Sequence, residues 1–488
     1  MKITIGAGRL TVLEIAAFCG GEVVAVGYDS DDLPYIEHIC TDSREAEGGV
    51  MLCAIRGERV DGHNYMASAH ERGGRVFLSE RVPDDLPSPC ACIVIDDTVA
   101  AMGRLAAGYR ASYLPGLCPV AVTGSVGKTT TKECIAAVLT EGQAVFKKEG
   151  NFNSTVGLPL TVTEMAPTSR QDSPRVAVLE MGMSGRGEIS AMSRAVRPRV
   201  GVITNIGSSH LALLGSRENI AAAKSEILDG MAAGDTLLLN GDEPLLRPTA
   251  ARAASKGVAC LRVSLADPDA DVYARVTALH RDAVTFDITF AHGEDEPAVW
   301  HDLSVPAPGE HMAWAAAFAA AVGYLHGMSR DAVARGLKGY RSAAMRQSIR
   351  TVRGITVIED CYNAAPESMC AALGVLAHAT GRKIAVLGDM RELGREEIHL
   401  HSAVGAYVAA VGVDILITVG TLGAHIGHGA IAAGMADGQV WITPTDTVPE
   451  AIAAHLAAEI REGDTLLFKA SRAMRLERIV EALAHEAK

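Results

Sequence analysis

A short glycine-rich segment between a predicted strand and a predicted helix is the clearest candidate for chemistry in this chain. Its residues are Gly124, Ser125, Val126, Gly127, Lys128, Thr129 and Thr130. Glycines let such a loop curl so that its N–H groups point at an anion, and the following helix adds the positive end of its dipole. Lys128 can then reach the terminal phosphates, and the Thr129 hydroxyl can bind Mg²⁺. The segment predicts a nucleoside triphosphate site, with an ordinary glycine turn as the weaker alternative.

The loop is a shortened variant of the common phosphate-binding pattern. That pattern has its first glycine five residues before Gly127, where this chain has Val122. Kinases, GTPases, motors and ligases all use phosphate loops, so the motif predicts nucleotide binding and leaves the reaction open.

Polar side chains follow two further apolar runs. Glu180 comes directly after residues 176–179, and His210 follows residues 200–204 through a short loop. Ligands of open α/β sheets gather at the carboxyl ends of the strands, so both groups are expected to face the phosphate loop. A carboxylate and an imidazole beside a triphosphate suit Mg²⁺ or Mn²⁺, although each alone is more often structural.

Lys224 lies on a helix predicted to start near Glu218. From the residues alone, the favoured interpretation is an exposed helix lysine near Glu218 or Glu226.

Length and composition limit the classes of function. The 488 residues predict about three domains, at roughly 100–200 residues each. A formal net charge of -13 argues against sequence-independent binding of nucleic acid, which needs clustered Lys and Arg. The N-terminus lacks the apolar run of a secretory leader, and the Ala-rich residues 312–325 predict a buried helix too short to span a membrane. A cytoplasmic protein follows as the expectation, and its ten cysteines are expected to be mostly core residues.

Alternation of short apolar runs with helical patterns predicts an α/β fold of three domains. Residues 1–115 predict a smaller N-terminal α/β domain that ends in a turn-rich stretch. Residues 116–340 predict a central, doubly wound, mostly parallel P-loop-type sheet, with an antiparallel insert over residues 260–303 that has one wet face. Residues 341–488 predict a Rossmann-like domain without a dinucleotide-binding glycine motif.

The chain resembles the Mur ligase family, the amide-forming ligases of peptidoglycan synthesis, over almost its whole length. The segments that carry the resemblance are residues 41–44, 56–57, 61–63, 124–132, 151–153, 157–159, 179–182, 204–210, 360–366, 387–390, 392–394 and 469–474. The resemblance implies that 1–115 binds a UDP-sugar (UDP-MurNAc) and that 116–340 binds ATP. It also implies that 341–488 closes over ATP and binds D-alanyl-D-alanine.

The resemblance also implies roles for individual residues. Those expected to bind ATP are Gly124, Ser125, Val126, Gly127, Lys128, Thr129, Thr130, Asn151 and Arg346. Those expected to bind the other substrates are Thr41, Asp42, Ser43, Arg44, Asp61, His63, Asp360, Tyr362, Asn363, Ser471 and Arg472. The residues expected to hold two Mg²⁺ ions are Thr129, Glu180, His210 and Lys224. Lys224 is expected to be carbamylated by CO₂, which reverses its exposed interpretation, and Lys128, Glu180, His210 and Lys224 are the expected catalytic residues.

The implied reaction joins D-alanyl-D-alanine to UDP-N-acetylmuramoyl-tripeptide. The tripeptide carboxylate attacks the γ-phosphate of ATP, and the amine then displaces phosphate from the acyl phosphate. Catalysis rests on alignment and on neutralising charge. We also expect a monomer, and the charge and hydropathy described above argue against nucleic-acid binding and a membrane span.

A few positions depart from the family pattern. Met312 and Ala315 stand where the family usually has Asn residues that contact adenine, and Ala365 also replaces an Asn. Ala470 and Ala473 stand where Gly is typical. We expect these changes to affect nucleotide selectivity and positioning but not the fold.

Two other functions are open. The nearest is another ligase of the same family, such as the tripeptide-forming enzyme or folylpolyglutamate synthase. The second is a nucleotide-binding regulatory protein without ligase activity, suggested by Met312, Ala315 and Ala365.

Overall fold

The computed structural model describes residues 1–29, 32–169, 174–291, 297–352 and 354–485, without the side chains of residues 484 and 485. These residues form three main sheets, each flanked by helices, and confirm the predicted α/β fold of three domains.

The first sheet has the strand order β1-β5-β6-β7-β8-β3, parallel from β5 to β8 with antiparallel strands at both edges. Its region contains β1 (Lys2–Thr4), β2 (Leu10–Thr11), α1 (Val12–Cys19), β3 (Glu22–Val26), β4 (Tyr35–Ile36), β5 (His38–Cys40), β6 (Val50–Cys53), α2 (Met66–Glu71), β7 (Val76–Ser79), β8 (Cys90–Val94) and α3 (Thr98–Tyr113). Side-chain caps fix where the helices begin: Thr11 and Glu14 form a capping box before α1, and Asp97 accepts from the Ala100 N–H before α3.

The central sheet has the order β10-β11-β9-β12-β13-β14-β15-β16-β17. Its elements are β9 (Cys118–Thr123), α4 (Lys128–Thr140), β10 (Val145–Lys147), α5 (Gly157–Thr163), β11 (Val176–Glu180), α6 (Glu188–Val196), β12 (Val200–Ile203), α7 (Leu211–Leu214), α8 (Arg217–Lys224), β13 (Thr236–Asn240), α9 (Arg247–Ser255), β14 (Ala259–Ser264), β15 (Val272–Leu279), β16 (Val284–Phe290), β17 (Ala298–Val305), α10 (His311–Leu325) and α11 (Arg330–Lys338). The strands from β10 to β15 are parallel, as predicted. The Ala-rich residues 312–325 form the buried helix α10.

The predicted antiparallel insert needs a correction. β14 and β15 pair in parallel, and only β15, β16 and β17 are antiparallel. The antiparallel part of the prediction is therefore confirmed for β15 to β17, which form one edge of the central sheet, and residues 292–296 of this segment lie outside the described residues. Alternate side chains of β16 are buried, because the apolar face of this edge covers α10.

The third sheet has the order β18-β19-β23-β20-β21-β22, parallel except for the edge strand β18. Its elements are β18 (Ser348–Val352), β19 (Ile355–Asp360), α12 (Pro366–Ala377), β20 (Lys383–Gly388), α13 (Glu397–Ala410), β21 (Ile415–Val419), α14 (Gly423–Ala432), β22 (Val440–Ile442), α15 (Pro449–Glu459), β23 (Thr465–Lys469) and α16 (Glu477–His485). Separate apolar clusters cover its two faces, as expected of a Rossmann-like sheet with helices on both sides.

Helix α3 joins the first two regions through one continuous apolar core. It packs against α1 on one side and against α5 and α6 on the other. Tyr109 is fully buried, donates a 2.8 Å hydrogen bond to the Met165 carbonyl and stacks on Tyr113. We call the packing of Leu105, Tyr109 and Tyr113 between these helices the apolar interface.

The ten cysteines are all free and are buried or half-buried, as expected of core residues. Across the described ranges, no helix combines the length and hydropathy that a membrane crossing needs.

Candidate active site

The phosphate loop connects β9 to α4 at the carboxyl end of the central sheet. Gly124 has a φ of +147°, and a Cβ atom there would lie 1.9 Å from the Thr204 hydroxyl. Any larger residue at this position would push the loop away from the sheet. The loop therefore lies directly on the end of β12, where nucleotide sites of open α/β sheets are found.

Internal hydrogen bonds hold the loop in shape. The Asn205 side-chain oxygen accepts from the N–H groups of Ser125 at 3.1 Å and of Val126 at 2.8 Å. The Lys128 ammonium turns back over the loop and donates to the carbonyls of Gly124 at 2.9 Å and Ser125 at 3.2 Å. Asn205 was not predicted as a site residue, although its place just after β12 is a signal that could have identified it.

Glu180 ends β11 beside the loop and is held from two sides. Thr129 donates a 2.7 Å hydrogen bond to one carboxylate oxygen, and the Asn153 amide donates a 2.8 Å bond to the other. Burial opposes the charged form, but Lys128, these hydrogen bonds and Arg346 bring the pKa of Glu180 below its ordinary value. Burial lowers the pKa of Lys128, partly offset by the charge of Glu180. Glu180 is therefore a carboxylate at neutral pH.

The donor set beside the loop fits one Mg²⁺ ion that shares its shell with phosphate. A hydroxyl and a carboxylate already meet at Thr129 and Glu180. Over the residues described, no three His, Cys, Asp or Glu side chains cluster closely enough to enclose a metal. Mg²⁺ commonly takes one or two carboxylates and completes its shell with water and substrate phosphates, so this sparse set suffices.

Lys224 ends α8 and is 1% exposed, so the interpretation as an exposed helix lysine is wrong. Burial, together with the charge of Lys128, holds the pKa of Lys224 well below its ordinary value. Its ammonium makes no hydrogen bond or ion pair with another described residue. Burial therefore favours the neutral amine of Lys224 over its ammonium form.

The C-terminal domain supplies the opposite wall of the site. The Arg346 guanidinium lies 4.1 Å above the ring of Tyr362. Met345 and Gln347 flank Arg346 with left-handed φ angles of 57° and 53°, so this connecting segment is strained on both sides of the arginine. Gln347, which was not predicted, lies 3.1 Å from the half-buried ring of His311.

Polar contacts join the central and C-terminal domains at the same place. The Ser208 N–H and hydroxyl donate to one oxygen of Glu367 at 2.8 and 2.9 Å. His210 and Glu392 form a 2.6 Å ion pair, which lowers the pKa of Glu392, and the Ala212 N–H donates to the Glu392 carbonyl at 3.0 Å. We call the contacts among Ser208, His210, Ala212, Glu367 and Glu392 the polar interface.

A cavity of about 500 Å³ lies between these two domains. The predicted site residues that line it are Ser125, Val126, Gly127, Lys128, Thr129, Thr130, Asn151, Glu180, His210, Arg346, Asp360, Tyr362 and Asn363. The sequence thus identified residues from both domains that meet in one cavity.

Other predicted residues do not line the cavity. Gly124 packs against Thr204 at the base of the phosphate loop, and Lys224 is buried within range of the Lys128 charge. The Ser471 hydroxyl accepts from the Arg391 N–H at 2.9 Å, and Arg472 forms an ion pair of 2.5 Å with Glu477. Ser471 and Arg472 therefore stabilise the segment that follows β23.

Asp360 is already paired within the cavity wall. Lys469 donates to one of its oxygens at 2.6 Å, and the Gln347 N–H donates to the other at 3.3 Å. Its contact with a substrate stays a prediction.

The residues predicted to bind the sugar nucleotide lie on the first domain. Asp42 accepts from the Arg44 side chain, which lowers the pKa of Asp42, and the Arg44 side chain is 80% exposed. His63 is buried, with Nδ1 2.6 Å from Asp61 and Nε2 accepting from the Glu80 N–H at 2.9 Å. Both ring nitrogens of His63 are occupied, so its effect on a ligand would pass through Asp61. Thr41 and Ser43 flank Asp42, and their roles stay predictions.

The departures from the family pattern fall in two places. Met312 and Ala315 line the cavity beside Trp314 and Phe318, which gives that wall an apolar character. Ala470 is buried, and neither it nor Ala473 has a positive φ in the described backbone, so glycine is not required there.

Comparisons with known proteins agree along the whole chain. The model described as Mur ligase family, catalytic domain matches residues 35–110, Mur ligase middle domain matches 122–323, and Mur ligase, glutamate ligase domain matches 345–472. A relative from Bacillus subtilis (strain 168), named UDP-N-acetylmuramoyl-tripeptide--D-alanyl-D-alanine ligase, is 36% identical over 481 residues. The match covers 97% of this chain and 98% of the relative.

Solved structures give the same result. Crystal structure I of MurF from Acinetobacter baumannii matches with a TM-score of 0.85 and 28% identity, covering 99% of this chain and 100% of that chain. The MurF ligase from Thermotoga maritima in complex with ADP matches with a TM-score of 0.77 and 26% identity, covering 92% of this chain and 97% of that chain.

Proposed function

The chain belongs to the Mur ligase family, and we propose that it is an ATP-dependent ligase that joins D-alanyl-D-alanine to UDP-N-acetylmuramoyl-tripeptide. The products are UDP-N-acetylmuramoyl-pentapeptide, ADP and phosphate. The observation that carries the proposal is the cavity between the phosphate loop and the C-terminal domain, where Lys128, Glu180, Arg346 and Tyr362 face one another.

The first step phosphorylates the tripeptide carboxylate. A carboxylate is a poor acylating agent because oxide is a poor leaving group, and transfer of the γ-phosphoryl group of ATP supplies phosphate instead. Lys128 and Arg346 lie on opposite walls of the cavity and would neutralise the charge on the transferred group. Asn205 keeps the loop in position, so little reorganisation is needed when the nucleotide binds.

The second step forms the amide. The amine nitrogen attacks the acyl carbon, the bond from that carbon to the phosphate oxygen breaks, and the electron pair leaves with phosphate. Since the substrates arrive from different domains, closure across the polar interface brings the two reacting groups together.

Thr129 and Glu180 would hold a Mg²⁺ ion, which when bound neutralises negative charge on the phosphates. His210 and Lys224 are proposed for a second ion. Because burial favours the neutral amine of Lys224, its nitrogen can add to CO₂ and release one proton. The carbamate so formed is an anion that the nearby charge of Lys128 stabilises.

Carbamylation has a direct test. Protein equilibrated with ¹³C-labelled bicarbonate should show a carbamate carbon resonance that Lys224→Met lacks and Lys338→Met keeps, since Lys338 is an exposed helix lysine. A spectrum without the resonance in the wild type would rule the modification out.

We also propose a division of substrates among the domains. Residues 1–115 would bind the sugar nucleotide through Thr41, Asp42, Ser43, Arg44 and the Asp61–His63 pair. Residues 116–340 would bind ATP, and 341–488 would bind D-alanyl-D-alanine with Asp360, Tyr362, Asn363, Ser471 and Arg472. The exposed guanidinium of Arg44 suits a diphosphate. A cytoplasmic location and a monomeric state stay predictions.

The experiment is product analysis by mass spectrometry. The protein is incubated with ATP, Mg²⁺, candidate UDP-muramoyl-peptides, and either D-alanyl-D-alanine or single amino acids. The expected product is the pentapeptide, with phosphate released only when all three substrates are present. Addition of a single amino acid instead would favour a different ligase of the family. Nucleotide binding without turnover would favour a regulatory protein, and either result would overturn the proposal.

A further inference from the structure

Four carboxylates line the cavity within the described residues: Glu180, Glu188, Asp360 and Glu367. Glu180 is held by Thr129 and Asn153, and both oxygens of Glu188 accept from backbone N–H groups at residues 184 and 185. Lys469 and the Gln347 N–H hold Asp360.

Glu367 differs from the other three. Its Oε1 accepts two hydrogen bonds from Ser208, whereas Oε2 is buried and has no partner among the described residues. A buried carboxylate oxygen without a donor costs free energy, so an unpaired one in a cavity indicates that a ligand supplies its partner.

The surrounding backbone is shaped around this carboxylate. Gly207 precedes Ser208, and a Cβ atom at Gly207 would lie 2.8 Å from the Glu367 carboxyl carbon. Glu367 itself lies in the first turn of α12, directly after the segment that contains Tyr362 and Asn363. The central domain thus both leaves room for Glu367 and fixes one of its oxygens.

The cations of the cavity are already engaged elsewhere. Lys128 donates to the carbonyls of its own loop, Arg346 lies over Tyr362, and Lys469 pairs with Asp360. None of them forms an ion pair with Glu367 in the described part of the chain. Oε2 is therefore free to pair with a cation or donor that arrives with a substrate.

We propose that Glu367 binds the ammonium group of the incoming amine and accepts a proton from it, which rests on the proposed function. Of the three substrates, only the dipeptide brings an ammonium group as its reacting end. Oε2 binds that group while Oε1 stays on Ser208, so closure of the polar interface positions the carboxylate and the amine together.

The protons balance as follows. The ammonium gives one proton to Glu367 and becomes a nucleophilic amine. Its nitrogen forms the bond to the acyl carbon while the bond to the phosphate oxygen breaks. The nitrogen gives its second proton to the departing phosphate, and Glu367 returns its own proton to solvent.

The test separates the two half-reactions of Glu367→Gln. Amide synthesis with D-alanyl-D-alanine should lose about 30-fold or more in kcat/KM. The KM for the dipeptide should rise because the charge partner is gone, and kcat should fall because the proton acceptor is gone. Trapping of the acyl phosphate by hydroxylamine should be unchanged, since hydroxylamine is a neutral amine at pH 7 and needs neither the charge nor the base. Equal losses in both reactions would overturn the proposal.

A neutral analogue provides a second readout. D-lactyl-D-alanine has a hydroxyl in place of the ammonium, so as a competitor it should bind wild type and Glu367→Gln equally well. If Glu367→Gln weakened binding of the analogue as much as binding of the dipeptide, Glu367 would act only by maintaining the structure of the site, and the proposal would be overturned. Glu450→Gln is the matched control, because that side chain is 62% exposed on α15.

Ser208→Ala separates binding from interface stability. This variant loses one of the two bonds to Oε1 but keeps the charge of Glu367. We expect a smaller loss of kcat/KM than for Glu367→Gln. This loss should not single out the substrate that carries an ammonium group. A loss as large as that of Glu367→Gln, with the same dipeptide specificity, would mean that Glu367 acts through the interface and would overturn the proposal. Absence of any product from wild type would instead refute the proposed function, so the two failures are distinct.

Discussion

The central domain meets its two neighbours in opposite ways. Toward the first domain, one apolar cluster runs without interruption through α3, from Ile3 to Val258. Toward the C-terminal domain, the apolar clusters of the described residues end on either side of the boundary. Hydrogen bonds and one ion pair cross it instead, from Ser208 and His210 to Glu367 and Glu392.

The difference follows from what each boundary has to do. Apolar burial stabilises by an amount roughly proportional to area and resists separation, so the apolar interface holds two domains as one body. Polar contacts near solvent exchange with water at small net cost, so the polar interface can open to admit substrates and close around them. The reacting groups lie at the boundary that can move.

Tyr109→Ala should produce the largest effect. Removing a fully buried aromatic ring costs about 3–5 kcal/mol of unfolding free energy, and here the cavity would lie between two domains. Hydrogen exchange measured by mass spectrometry should accelerate in both 1–115 and 116–340 and stay unchanged in 341–488. Tyr407→Ala, on a 37% exposed side chain of α13, is the matched control. Acceleration confined to one domain would contradict a shared core.

Lys224→Met should stabilise the protein by about 1–3 kcal/mol at neutral pH in CO₂-free buffer, because it removes a buried polar group without a partner. Since the folded pKa of Lys224 lies below the unfolded one, the unfolded state binds more protons. The unfolding free energy of the wild type should therefore rise with pH from the lowered pKa of Lys224 up to about 10.4. Above that pH neither the folded nor the unfolded state binds a proton at this lysine. The variant should lack this slope and be inactive. Denaturant unfolding at several pH values measures the stability difference and its pH dependence. If wild type and variant changed in stability with pH in the same way, the lowered pKa of Lys224 would be contradicted.

Closure across the polar interface should be visible in solution. Small-angle scattering should give a smaller radius of gyration with a non-hydrolysable ATP analogue plus UDP-tripeptide than without ligands. The change should come from 341–488 alone, because the apolar interface keeps the other two domains together. Identical dimensions in both states would refute closure.

Glu392→Gln should have the smallest effect. The Glu392 side chain is 55% exposed, and exposed ion pairs contribute about 0–1 kcal/mol. His210 lowers the pKa of Glu392, so the contribution is present above the ordinary value of 4.5 and is lost as the pH falls through the lower folded value. Unfolding experiments should show the difference between wild type and variant shrinking below pH 4.5. A decrease of the unfolding free energy well beyond the ~1 kcal/mol typical of exposed ion pairs would contradict the view that the polar interface is weak.

The predictions that came true depend on local physical chemistry. The apolar run before Gly124 and the helical pattern after Lys128 gave β9 and α4 because strand, glycine turn and helix are encoded within a few residues. The carboxyl ends of parallel strands then placed Glu180 and His210 at the same cavity without knowledge of their contacts.

What the sequence did not reveal depends on distant partners. Glu367 meets Ser208 across 159 positions, and neither local sequence shows that the two residues pair. The burial of Lys224 was hidden because its helix carries Glu218 and is followed by Glu226, which make the segment look exposed. The antiparallel insert was predicted to begin near residue 260, although β14 pairs in parallel, since alternation reveals one wet face but not the direction in which a strand pairs.

Helix α3 also sets how the chain can be divided and recombined. A cut between α11 and β18 leaves each piece with complete cores, so a C-terminal piece should fold by itself and could be exchanged among relatives. A cut between α3 and β9 would split one core and leave an aggregation-prone apolar face on both pieces. The first two domains should therefore be exchanged only as a pair. A first domain taken from a relative would need the matching surface of α5 and α6, because α3 packs on these helices.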